Sequence, residues 1–428
     1  MIKAFAIGVI VLEILSVGEK IKRARIYKGY TLKDICGDKL SVSKMSCIEN
    51  DKIEPEEWVL ELIAEKLNLD KDYLMHDIRE QIKESIAVLE DNKNIENFEA
   101  NVLYNLDFSE KYEYFDLCVM LVHLMFNHYL NNREHHKIQS LTSKYYDYCQ
   151  KSQQDENYLT YYMDMARFLY STKEFSQAAT YYNNIRKIAL EKEKLNILAR
   201  STYNEAACFV MLEDYKKAYE VSERLEELIV YLEGDINKAE VYQMLAMLSV
   251  IMNTGKFEEY EKKSYELYDC NIQSKALAIF NYAATLFDIN EKEKALEYIN
   301  KALALYPKNN IENLVRFMLY AVEELFNNNI LDNAQAICDD ALNYAIVIND
   351  SIFIENAYYL KSRILHRLDN EISAEMYMNL SLDYLLKFGS KQDIYKRYME
   401  MGYMYYKLSQ TAEAIKYFNL ALSIEKKM

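Results

Sequence analysis

Apolar residues recur three and four positions apart along almost the whole chain, the period of an α-helix, and no long stretch alternates as a strand would. The first clear case is Val17-Gly-Glu-Lys-Ile21-Lys-Arg-Ala24-Arg-Ile26, whose apolar positions share one helix face and should stop at Gly29. Thr31-Leu-Lys-Asp34 places an N-cap residue three positions before an acid, so a second short helix should run from Thr31 to near Gly37. A third should begin at Ser41 or Ser43, bury Met45 and Ile48, and end at Asn50-Asp51. After Pro55, the residues Trp58, Leu60, Ile63, Ala64 and Leu67 form the apolar face of a fourth. Two short helices on a tight link, the later one capped by serine, have the geometry that puts a helix N-terminus into a DNA major groove.

Beyond Leu74 the helical pattern runs to Met428 and repeats itself. A small residue is followed by an apolar one three later, Ala twelve later, and apolar or small residues sixteen and nineteen later. The pattern reads Ala166, Leu169, Ala178, Tyr182, Ile185, returns as Ala206, Phe209, Ala218, and again as Ala283, Leu286, Ala295, Ile299, Ala302. Weaker copies start at Val322, Ser362 and Gly402. The alanines at 178, 218, 295, 334, 374 and 414 lie 39 or 40 residues apart, except for one double interval that implies a degenerate copy near Ala246 and Glu258. The spacing has a steric cause: two antiparallel helices approach closely only where the crossing residues are small. Seven helical hairpins follow, and an eighth is expected over Tyr114–Asn131 and Glu134–Gln150, without the small-residue marks.

Composition narrows the fold class. The chain has 2 Pro and 8 Gly in 428 residues, where average usage gives about 21 and about 30. A β-sandwich, a Rossmann domain or a metal-clip scaffold needs far more turn residues. Hydrophobic content of 51% excludes disorder and leaves an all-α protein. Net charge is −16, yet Val17–Pro55 holds nine Lys/Arg against six acids, so a segment of +3 sits on a remainder of −19. Such a basic island is the footprint of a docking module. The seven cysteines are odd in number and form no C-x-x-C, which suits buried thiols in a reducing cytosol rather than disulfides or a zinc site. His123, His128, His135 and His136 surround one hairpin turn at spacings that suit no common zinc geometry and read as structural or solvated. No phosphate-binding loop, nucleophile elbow or paired Cys/His site is present, so neither an enzyme nor a cofactor is expected. Residues 1–15 are apolar, but too short to span a bilayer, interrupted by Glu13 and followed by no cleavage site; they read as an N-terminal extension.

The segment VGEKIKRARIYKGYTLKDICGDKLSVSKMSCIENDKIEP resembles the Xre/lambda-repressor-type helix-turn-helix. The matching marks are Ile21-Lys22-x-x-Arg25 in the first helix, Lys28-Gly29-x-Thr31 before the second, and Ser46-x-Ile48-Glu49-Asn50 closing the third. The resemblance implies that Ser43, Lys44 and Cys47 face base edges, with Ser41 and Ser46 on the same helix, and that Lys33 faces phosphate. Cys47 stands where the family usually has Arg, and a thiol offers guanine no bidentate reading; readout there should be weaker or by shape.

The hairpin pattern resembles the tetratricopeptide repeat, stretched from 34 to about 39 residues. A basic Xre-type head on such an array is similar to the RNPP family (Rap, NprR, PlcR, PrgX). That likeness implies a right-handed superhelix of about seven or eight TPR-like hairpins and a cytoplasmic, dimeric transcription regulator. Its partners would be a double-stranded DNA operator and a short signalling peptide, with no membrane. The expected organisation is an extension over 1–15, the helix-turn-helix over 16–75, linker helices over 76–110 and repeats over 111–428. In each hairpin, residues two and six before the small position of helix A should project into the concave face, with the one after it on the rim. Asp164, Asn204 and Asn281 fall at the first position, Arg200, Arg316, Asn356 and Lys396 at the second, and Arg167 and Arg363 on the rim. An Asn amide offers a donor and an acceptor to a peptide backbone, and Arg suits a carboxylate. Phe287, Phe326 and Tyr170 pack between hairpins or form pockets for apolar side chains. The rival reading is an interaction scaffold that binds or sequesters a partner protein, with the head as a DNA tether.

Overall fold

The computed structural model describes residues 13–91 and 97–426, so most of the expected N-terminal extension lies outside the described residues. Among these the secondary structure is helical throughout, and no helix is long and apolar enough to cross a membrane. The chain divides into two compact units, Met1–Leu212 and Glu213–Met428.

The first unit opens with five short helices: α1 (Val17–Tyr27), α2 (Leu32–Cys36), α3 (Val42–Glu49), α4 (Glu57–Leu67) and α5 (Lys71–Met75). Side chains start the first three. Ser16 and Glu19 form a reciprocal capping box on α1, Thr31 and Asp34 another on α2, and the Ser41 hydroxyl accepts from the Lys44 N–H on α3. Their apolar faces meet in one core of Ile21, Ile35, Met45, Ile48, Val59, Ile63, Leu67 and Leu74. Gly18 permits the close crossing of α1 over the end of α3, since a Cβ there would lie 2.3 Å from the Ile48 carbonyl oxygen. Arg25 reaches from α1 to α3, its Nε 2.6 Å and its Nη2 2.9 Å from the two oxygens of buried Glu49. Trp58 departs from expectation: it is 44% exposed, and its neighbour Val59 fills the core.

The helices α6 (Ile78–Asp91) and α7 (Phe98–Lys111), read from sequence as linkers, are core elements. Their Ile82, Ile86, Val102 and Leu106 share one cluster with Leu121, Val122, Phe126 and Tyr145 of α8 (Phe115–Asn131) and α9 (His135–Ser152). Ile14 is buried in the same cluster. Leu15 exchanges two hydrogen bonds with the Gln81 side chain, at 3.1 and 2.9 Å. Lys20 of α1 is buried and donates to the Tyr73 carbonyl at 2.8 Å and to the His76 carbonyl. The head is thus fastened to the helices behind it. The unit continues through α10 (Asp155–Ser171), α11 (Phe175–Glu191) and α12 (Leu195–Met211).

The second unit starts with a broken helix, α13 (Tyr215–Ser222) and α14 (Leu225–Leu228), running into a single 3-10 turn at Ile229–Tyr231. Five hairpins follow. They are α15 (Asp235–Ile251) with α16 (Phe257–Leu267), α17 (Ile272–Asp288) with α18 (Lys292–Leu305), and α19 (Ile311–Asn327) with α20 (Leu331–Val347). Then come α21 (Ser351–Arg367) with α22 (Glu371–Phe388), and α23 (Lys391–Lys407) with α24 (Thr411–Glu425). With α8/α9 and α10/α11 of the first unit, seven complete hairpins lie among the described residues, and the degenerate copy near Ala246 is the hairpin α15/α16.

The small residues read from sequence sit where helices cross. Ala166, Ala178, Ala206, Ala218, Ala283, Ala295, Ala334 and Ala374 are fully buried. At Gly402 a Cβ would lie 2.5 Å from the Phe418 ring. The turns between helices use almost no glycine; Lys173, Glu193, Glu213, Asn290, Asn329, Asn349 and Asp369 take positive φ there instead. All seven cysteines are free thiols; Cys47 is half-buried, Cys270 exposed, and the other five are buried.

Candidate functional site

Three groups of side chains stand out, and each is built by a short piece of local structure. The first is on the head. The capped start of α3 leaves Ser41 and Ser43 exposed, with Lys44, Ser46 and Cys47 half-buried behind them, and Lys33 exposed on α2. Five of the six residues read from sequence therefore lie on α3 or at its cap. Lys44 is engaged: its ammonium is 2.8 Å from Glu56 Oε1 and 5.7 Å from the centre of the Trp58 ring. The Trp58 indole N–H donates to the other Glu56 oxygen at 2.7 Å. Together these bonds hold the Glu56 carboxyl below its usual range, Lys44 first and Trp58 second.

The second group joins successive A helices of the first unit through Tyr145 of α9. Asp164 is 1% exposed and accepts from the Tyr145 hydroxyl at 2.9 Å, while its Oδ2 lies 2.6 Å from His123 Nδ1. Burial, then Asp164, pushes the Tyr145 hydroxyl far above its ordinary range, so it remains a donor. Arg167 donates to Asn127 Oδ1 at 2.7 Å and lies 3.7 Å from Asp164. Asp164, placed on the concave face by the sequence pattern, is the buried centre of this network, and Arg167 is its exposed edge. His123, Asn127 and Tyr145 were missed by that pattern. The signal for His123 was its offset of 41 residues from Asp164, close to one repeat. On α12, Arg200 is exposed and Asn204 half-buried, and the Asn204 amide has no side-chain hydrogen bond among the described residues.

The third group is a cleft in the second unit, about 440 Å³ in volume, between the consecutive A helices α19 and α21. It exists because α21 presents Ile352, Phe353, Asn356, Tyr359 and Leu360 to the face of α19 that carries Arg316, Leu319, Tyr320 and Glu323. Leu319, Phe353 and Leu360 are buried and make an apolar floor. Arg316 lies above it, 5.6 Å from the Phe353 ring and held by Nη2 to Glu312 at 3.0 Å. Its other guanidinium donors have no hydrogen-bond partner among the described residues. Asn356 is exposed beside it, and its amide likewise makes no hydrogen bond among the described residues. At the far end the Tyr359 hydroxyl donates to Glu400 at 3.0 Å, under the Arg397 guanidinium at 3.9 Å from its ring. Burial, then Glu400, raises the Tyr359 hydroxyl above its ordinary value. Arg397 is fixed by Glu355 at 2.9 Å and by Ser381.

Of the residues read from sequence, the cleft brings together Arg316 and Asn356. Arg363 stands outside it, 5.6 Å from the Tyr359 ring and 4.5 Å from Phe326. Asn281 is half-buried on α17, its amide free of side-chain hydrogen bonds among the described residues. Phe287 and Phe326 are buried between helices, whereas Tyr170 is partly exposed against Phe175. Chemically, the cleft pairs an apolar floor with one unpaired amide and one guanidinium that has donors to spare. That combination suits a small polar chain with apolar side groups.

The tetratricopeptide repeat model matches residues 276–309 and 395–428, which fall on α17/α18 and α23/α24. No curated protein shows significant sequence similarity to the chain. Solved structures with a similar trace include the apo form of the quorum sensor NprR from B. thuringiensis, 16% identical, with 82% of this chain and 100% of that one covered and a TM-score of 0.45. Aspartyl phosphate phosphatase F from Bacillus subtilis is 13% identical, covering 97% and 96% of the two chains, with a TM-score of 0.38. PlcR of Bacillus thuringiensis, in complex with the peptide PapR7 and DNA, is 13% identical over 91% and 98%, with a TM-score of 0.28.

Proposed function

We propose that the protein is a peptide-responsive transcription regulator: its head binds duplex DNA, and a short peptide on the A-helix face of its repeats sets that binding. The cleft between α19 and α21 is the observation that carries the reading. Its apolar floor takes a side chain of the peptide, the Asn356 amide pairs with peptide backbone, and Arg316 takes a carboxylate. The free amide of Asn281 offers the same chemistry on α17 of the same unit, and that of Asn204 offers it separately on α12 of the first unit. The head supports the DNA half of the reading through its basic balance and its exposed α3 start. The regulator acts in the cytosol as a homodimer, because two heads must match half-sites about one helical turn apart. Peptide binding shifts that match by repacking the A helices.

The test is calorimetry of the full chain with synthetic peptides taken from short reading frames beside its gene. A bound peptide should lose tenfold or more in affinity with Arg316→Ala, and similarly with Asn356→Ala. If both variants bind it as the parent does, the cleft is not the site. If Asn204→Ala and Asn281→Ala bind unchanged as well, the whole A-helix assignment is wrong.

A further inference from the structure

The residue that the DNA reading makes most important, Lys44, is not free. Its ammonium is paired at 2.8 Å with Glu56, a residue of the turn that leads into the next helix. The same carboxylate takes the indole N–H of Trp58 at 2.7 Å. Two donors from two different helices thus converge on the two oxygens of one acid. Glu56 is itself exposed, at 61% of its side chain, so neither burial nor packing demands an acid there. A carboxylate in this place does to the lysine what an acceptor on DNA does: it offers an anionic oxygen at hydrogen-bond distance.

We propose that Glu56 is an internal competitor for Lys44 and sets the affinity of the head for DNA. This rests on the DNA-binding reading of the head and adds a residue and a sign to it. When the head docks, Lys44 must leave Glu56 for a phosphate or base acceptor, and the acid is left facing a polyanion. Both effects weaken binding, and weak binding is what leaves a regulator responsive to a second input. The pair is solvent-exposed, so the brake is modest, roughly two- to fivefold in affinity.

Trp58 makes the exchange visible, because it is the chain's single tryptophan and donates to the contested carboxylate. The experiment uses the full chain and a duplex that it enriches from a random-sequence pool. Glu56→Gln should bind that duplex roughly two- to fivefold more tightly than the parent. Glu54→Gln removes a nearby acid that has no pair with Lys44 and reports general charge repulsion. In a Lys44→Ala background, the gain from Glu56→Gln should shrink to that of Glu54→Gln. DNA should change Trp58 emission in the parent and change it much less in Glu56→Gln. Equal gains from Glu54→Gln and Glu56→Gln, or a gain that persists without Lys44, overturn the proposal while leaving DNA binding intact. Failure of the parent to enrich any duplex defeats the DNA reading itself.

Discussion

The head and the repeats solve the same problem, ending a helix, in opposite ways. In the head, α1, α2 and α3 are 11, 5 and 8 residues long and start on side-chain caps from Ser16, Thr31 and Ser41. Helices this short are unstable alone, so caps and the Arg25–Glu49 pair hold them against one small core. In the repeats, helices such as α10, α11, α19 and α20 have 17 residues. Three of those four start with no side-chain cap, and the turns accept Lys, Glu, Asn or Asp at positive φ. Long helices locked by buried alanines can tolerate strained turns; short ones cannot tolerate the loss of a cap. Stability is local chemistry in the head and distributed packing in the array.

That contrast can be broken in graded steps. The largest effect should come from Glu49→Ala, which strands the Arg25 charge between α1 and α3 and costs about 3 kcal/mol or more. The head should melt early while most far-UV helical signal survives; one transition for the whole chain would show that the two regions are not separable. Next, Ala295→Leu or Ala334→Leu overfills a closed helix crossing and should cost about 1–3 kcal/mol, read as a lower denaturation midpoint with DNA affinity unchanged. Ser41→Ala removes the α3 cap and should cost about 1 kcal/mol, lowering DNA binding more than global stability. In the opposite direction, Lys173→Gly relieves a left-handed residue (φ 65°) and should stabilise by about 0.5–1 kcal/mol.

A pH titration sharpens the same comparison. Burial lowers Lys20 from 10.5 to about 8, against the smaller opposing pull of Asp77 and Glu84. Between these two values the unfolded chain binds the extra proton, so head stability should rise with pH across that window and fall again as pH drops toward 8. Lys20→Met should flatten the slope in denaturation melts followed between pH 7.5 and 10, whereas a slope unchanged by the substitution would assign it to other groups.

The sequence announces much of this because its signals are local or strictly periodic. Thr31 with Asp34, and the serine at 41, mark helix starts whatever surrounds them; the alanines at intervals near 40 mark crossings because nothing larger fits. What stayed hidden depends on tertiary partners. Trp58 was read as core because it lies one position from the true core residue Val59, and only exposed Glu56 and half-buried Lys44 explain why it turns outward. The helices α6 and α7 were read as linkers because they carry no repeat marks, yet Ile82, Ile86, Val102 and Leu106 on them complete a core shared with α8 and α9. His123 was read with His128, His135 and His136 as structural or solvated, and its partner Asp164, one repeat away, appears only in the fold. For the cleft, repeat register singled out Arg316 and Asn356, but register does not say that α19 and α21 part to leave an open space between them.

The most direct test of the account is a titration of one peptide against the full chain and the double variant Arg316→Ala/Asn356→Ala, with duplex retention followed in the same samples. The account predicts that the parent binds the peptide and changes its hold on the duplex, while the double variant holds the duplex as the free parent does and no longer responds. A double variant that responds to the peptide at the parent's concentration would contradict it.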